Sequence, residues 1–103
     1  MTSIQQASSL DCIIRQLRQE LPRLSDHYDV EYLAVFGSYA RNTQHKESDL
    51  DILVGFRVIP GLVKYISLEQ HLSDLLGIPV DLVMESTLKP EIAARISLDR
   101  KII

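Results

Sequence analysis

Leu10, Ile13, Ile14, Leu17 and Leu21 recur three and four residues apart, which lays a single apolar stripe along a helix. Ser8 with Asp11 three residues later suits the start of that helix, and Pro22 marks its end region. Residues 25–29 read as a polar turn, and residues 32–36 as a first strand. A helical turn is predicted over residues 39–43 and a loop over 44–47. The second and longest strand is predicted over 48–56. After the turn signal Pro60-Gly61, Tyr65, Leu68, Leu72, Leu75 and Leu76 return to helical spacing, predicting a helix over Leu62–Leu76. Gly77 and Pro79 stop it, and a third strand follows over Val80–Met84. Thr87 can cap a short last helix, with Pro90 tolerated in its first turn. Ile96, Leu98, Ile102 and Ile103 form an apolar tail suited to packing or to contacting a partner.

This order predicts an α/β chain of the α+β type: a small mixed sheet of three or four strands with helices packed mainly on one side. The connection between the first two strands is short enough for antiparallel pairing, whereas a parallel pair needs a longer crossover.

The chemistry concentrates between the first two strands. The run Leu33-Ala34-Val35-Phe36 enters Gly37-Ser38, and ten residues later comes Asp49-Leu50-Asp51. Side chains alternate faces along a strand, so Asp49 and Asp51 point one way and Leu50, Ile52 and Val54 the other, into a core. Two neighbouring carboxylates repel, and a hard divalent cation is the usual remedy. The Gly-Ser turn supplies backbone N–H groups and a hydroxyl, which suit a phosphate. A phosphate cradle beside a metal-binding carboxylate pair points to nucleoside triphosphate chemistry.

The segment from Gly37 to Val54 resembles the signature of the nucleotidyltransferase superfamily in its small prokaryotic form, the minimal nucleotidyltransferase (MNT) family. Many members are antitoxins encoded beside a HEPN-domain toxin. The resemblance spans residues 10–96, with Asp81 in the later strand supporting it. The family often has glycine where this chain has Asn42, and asparagine is the best substitute at a left-handed position.

The resemblance implies that the strand of Asp81 lies beside the Asp-x-Asp strand, so that three carboxylates converge. Such a cluster can hold two Mg²⁺ ions, with Asp49 and Asp51 as shared ligands. Asp81 would help bind the second ion and orient or deprotonate the attacking hydroxyl. Gly37 and Ser38 would hold the β and γ phosphates of ATP, and the Arg41 fork could neutralise triphosphate charge. The bland alternatives are an edge-strand Asp81 facing solvent and a surface Arg41 paired with Glu47 or nothing. Tyr39 suits base stacking, packing or a partner contact equally. Lys46 and His45 read as solvated, and His27 and His71 as surface residues.

Length and composition narrow the function. With 103 residues, 46% hydrophobic and 24% charged, the chain is expected to be a single domain over residues 1–103. It has no apolar run near the ~20 residues of a membrane span and no evident secretory signal. The lone Cys12 excludes an internal disulfide, fits a cytoplasmic protein and reads as partly buried packing. A net charge of −3 argues against stable nucleic-acid binding by this chain alone. The leading reading is a Mg²⁺-dependent nucleotidyltransferase antitoxin that moves AMP from ATP to a hydroxyl, by the resemblance a tyrosine, of a cognate HEPN toxin. The rivals are an antitoxin that acts only by occluding its partner, and a small-molecule nucleotidyltransferase.

Overall fold

The computed structural model describes residues 10–45 and 47–103, so the Ser8 helix start and the Lys46 reading lie outside the described residues. Helix α1 spans Leu10–Tyr28 and does not stop at Pro22, which lies inside it. The apolar stripe continues past the proline. Ile13, Leu17 and Leu24 are fully buried, and Leu21 and Tyr28 pack against them. A proline inside a helix costs about 3 kcal/mol. Burying Leu24 returns about 1.5–3 kcal/mol, and Tyr28 adds to it. The expected polar turn over 25–29 is therefore mostly helix. It ends at Asp29, whose φ of 58° is a left-handed value that aspartate tolerates. Arg57 closes this end by donating to the Ser25 carbonyl at 2.7 Å and pairing with Asp29 at 3.4 Å.

Strand β1 covers Val30–Phe36, starting two residues earlier than expected. Strand β2 covers Leu50–Phe56 rather than 48–56, and at 7 residues it equals β1 instead of exceeding it. Between them a single helical turn, α2, spans Ser38–Arg41. Helix α3 spans Leu62–Leu76 and ends at Gly77, whose φ is 72°. Strand β3 spans Val80–Met84. Thr87 does not cap a helix. It lies in a 3₁₀ turn over Glu85–Thr87 and donates back to the Met84 carbonyl, and helix α4, Pro90–Asp99, starts after Lys89. A last short strand, β4, covers Lys101–Ile102.

The sheet order is β3-β2-β1-β4. β1 pairs antiparallel with β2 and β4, and β2 pairs parallel with β3. The short α2 connection allows the antiparallel pair, and α3 makes the crossover that the parallel pair requires. One sheet face carries Leu33, Val35, Leu50, Ile52, Val54, Val80 and Leu82. These join Ile13, Leu17 and Leu24 of α1 and Leu68, Leu72 and Leu76 of α3 in the core. The apolar tail divides: Ile103 packs on the core and donates its N–H to the Leu33 carbonyl, while Leu98 is 84% and Ile102 57% exposed. Among the described residues no helix is long and apolar enough to cross a membrane.

Candidate active site

The aspartates are brought together by strand register. Asp51 stands directly opposite Phe36 on β1 and Asp81 on β3. It lies on the face away from the core, since its neighbours Leu50 and Ile52 are fully buried on the other side. Asp49 is exposed and precedes the strand instead of belonging to it. β2 begins at Leu50, whose N–H is taken by the Pro79 carbonyl at 2.9 Å. β3 is the sheet edge, and Asp81 is exposed, as the bland alternative required; it is nonetheless paired with Asp51.

Asp51 registers this crowding. Its carboxyl is pushed above the ordinary carboxylate value, first by burial and then by the charges of Asp81 and Asp49, with Arg41 pulling the other way. One half-buried carboxylate thus feels two others and one cation. Among the described residues no three acidic, histidine or cysteine side chains are drawn together as a ready metal cage. The donor set is nevertheless all carboxylate oxygen, which is what a hard divalent cation takes. Burial is the first cause of the upward push on Asp51, and the unneutralised charges of Asp81 and Asp49 add to it, which a cation would relieve. By that test the residues fit such an ion.

The Gly37 turn rests on this cluster. Gly37 has φ 76° and ψ −150°, a conformation open in practice to glycine alone. A Cβ there would lie 2.2 Å from Oδ2 of Asp51. The turn closes through Arg41 N–H to the Gly37 carbonyl at 3.1 Å and Thr43 N–H to the Ser38 carbonyl at 2.8 Å. Asn42 is left-handed, with φ 59°, as the glycine it replaces would be. Ser38 is partly exposed at the head of the turn, whereas Tyr39 is 4% exposed within the core, which removes it as a base-stacking residue.

Arg41 is half-exposed and pairs with Asp99 of α4 at 3.1 Å, not with Glu47. No local spacing signals that pair, because 58 residues separate its partners. His45 is exposed, and its Nδ1 accepts the Glu47 N–H within the loop. His27 is exposed. His71 departs from the surface reading: its Nε2 lies 2.8 Å from Glu20, joining α3 to α1.

Comparison with known proteins places this geometry. A family model of the nucleotidyltransferase domain matches residues 14–103. The chain is 51% identical over 70 residues to the protein adenylyltransferase MntA of Thermococcus cleftensis, covering 68% of this chain and 71% of that one. The chain is a minimal nucleotidyltransferase. A minimal nucleotidyltransferase of known structure superposes with a TM-score of 0.77 at 30% identity, covering 90% of this chain and 94% of that one. A toxin–antitoxin structure with AMP-PNP superposes with a TM-score of 0.66 at 29% identity, covering 87% of this chain and 68% of its own. The mixed four-stranded sheet is therefore that of the family, and the chain is an enzyme of the protein adenylyltransferase type.

Proposed function

We propose that this minimal nucleotidyltransferase is an antitoxin that transfers AMP from ATP to a hydroxyl side chain, a tyrosine, of a HEPN-type toxin. The observation that carries the reading is the side-by-side placement of Asp51 and Asp81, with Asp49 in electrostatic reach and the Gly37 turn packed on Asp51. Relatives named as protein adenylyltransferases, and a similar chain crystallised as a toxin–antitoxin pair with AMP-PNP, support this class of partner and substrate.

Asp49, Asp51 and Asp81 would hold divalent magnesium. When bound, the metal supplies neutralisation of triphosphate charge. Gly37 and Ser38 hold the β and γ phosphates, and Arg41 offers its remaining N–H donors to them. Asp81, exposed at the sheet edge, faces the acceptor. The acceptor oxygen forms a bond to the α-phosphorus as the bond from that phosphorus to the bridging oxygen breaks. The hydroxyl proton passes to Asp81, and pyrophosphate leaves. Exposed apolar side chains at Val58, Ile59, Leu62 and Val63, with Leu98 and Ile102 of the tail, support docking on a protein rather than on RNA. The described residues act as one domain.

The division of roles is tested by Asp81→Asn and Ser38→Ala. Asp81→Asn should lower the transfer rate far more than ATP affinity, and Ser38→Ala should lower both. Equal effects of the two on ATP affinity would contradict the assignment.

A further inference from the structure

An edge strand presents alternate backbone groups with no strand to pair them. On β3 three side chains of α3 meet those groups. Ser73 Oγ accepts the Val80 N–H at 3.0 Å, Glu69 Oε2 accepts the Leu82 N–H at 2.8 Å, and the Tyr65 hydroxyl donates to the Leu82 carbonyl. Tyr65, Glu69 and Ser73 are four residues apart, so they share one face of α3 and follow the strand residue by residue. Asp81 sits between the two anchored residues, with its own side chain on the opposite face beside Asp51.

The core stripe Leu68, Leu72 and Leu76 holds α3 against the sheet on its own and does not demand a carboxylate at 69. A partly buried glutamate is a costly way to cap one amide unless its strength is used, because a charged acceptor makes a shorter and stronger bond than a neutral one. The side chain of Tyr65 feels the charges of both Glu69 and Asp81, which places the seam within electrostatic range of the site.

We propose that Glu69, supported by Tyr65 and Ser73, is a positioning residue that locks the β3 backbone on both sides of Asp81 and so fixes that carboxylate against Asp51 for transfer. The inference rests on the reading that Asp81 serves the acceptor hydroxyl. The seam also blocks strand addition at this edge, keeping the end of the sheet open for the acceptor.

The test compares Glu69→Leu, which removes the acceptor but keeps the bulk, with Glu69→Gln, which keeps an acceptor. Amide exchange at Leu82 is measured on the full-length protein without ligand. Transfer from ATP, with Mg²⁺, to a HEPN-type partner protein is then measured by mass. In Glu69→Leu the Leu82 amide should exchange at least about tenfold faster. Its kcat should fall about ten- to a hundredfold, the scale of a misplaced catalytic group. The KM for ATP should stay within about twofold, since the phosphate-binding turn is untouched. Glu69→Gln should recover most of both losses. Unchanged Leu82 exchange in Glu69→Leu, or faster exchange with unchanged kcat, overturns the positioning role. A wild-type protein that transfers nothing overturns instead the reading of Asp81 on which the role depends.

Discussion

Gly37→Ala is the sharpest perturbation of the site. The substitution forces an L side chain into φ 76°, ψ −150°, which costs about 1–3 kcal/mol in backbone strain. It also places a Cβ 2.2 Å from Oδ2 of Asp51, where ordinary contact begins at 3.4 Å. Relief requires Asp51 to move by about 1 Å or the turn to lift off β2, and a shift of that size can cost about a hundredfold in rate. Together these should lower stability by about 2–4 kcal/mol, or about 10–25 °C in Tm for a domain of this size. Two internal controls separate the effects. Gly77 has φ 72° with nothing within 4 Å of the added Cβ, so Gly77→Ala reports strain alone. Gly61 has neither a positive φ nor a neighbour within 4 Å, so Gly61→Ala should be close to neutral. Thermal melts and AMP transfer are measured for all three. Gly37→Ala melting no lower than Gly77→Ala, or retaining full transfer, would refute the packing of this turn on Asp51.

Asp51→Asn should abolish transfer while leaving the metal-free protein as stable or more stable. Because the folded-state pKa of Asp51 lies above its ordinary 3.8, its contribution is full below that value and is lost as pH rises through the folded value. Metal-free wild type should therefore lose stability over that rise, and Asp51→Asn should lose less; equal pH profiles would contradict the crowding. Asp99→Ala removes a half-exposed ion pair worth about 0–1 kcal/mol, so Tm should barely move. ATP should bind a few-fold tighter to it as Arg41 is released, and weaker binding would show that Asp99 orients Arg41 instead. The Tyr32 hydroxyl is buried near the Glu85 carboxylate, and burial first, then the interaction with Glu85, pushes its pKa to about 12. Wild type should thus lose stability as pH rises from about 10 to about 12, and Tyr32→Phe should flatten that loss; a steep alkaline loss in Tyr32→Phe would assign it elsewhere.

The parts of the fold legible in the sequence are those with local causes. Leu62–Leu76 and Val80–Met84 lie where periodicity and the Gly77 stop put them. Asn42 adopts the left-handed geometry that its place in the motif demands. Errors fall where tertiary packing outweighs a local rule. Pro22 signals a stop, but burial of Leu24 carries α1 onward to Tyr28. Alternation extends β2 back to residue 48, but the strand has a partner only from Leu50, leaving Asp49 in the loop. Two-residue β4 carries too little pattern to be seen. Of the candidate site, the pairing of Asp51 with Asp81 and the Gly37 turn beside them are legible because both follow from the strands and the turn that local pattern places. Asp99 beside Arg41, Glu20 beside His71 and the Glu69 contact with Leu82 join residues distant in sequence, and no spacing rule reaches them.

Catalysis on a protein partner leaves a covalent mark that mass spectrometry reads. The purified chain is incubated with ATP, Mg²⁺ and a candidate HEPN-type partner protein, and that protein is weighed intact and after digestion. Gains in whole AMP units are expected on a tyrosine, absent with Asp51→Asn and absent without Mg²⁺. A HEPN protein that is silenced with no change in mass, or whose inhibition survives Asp51→Asn undiminished, would make this chain an occluding antitoxin and contradict the account.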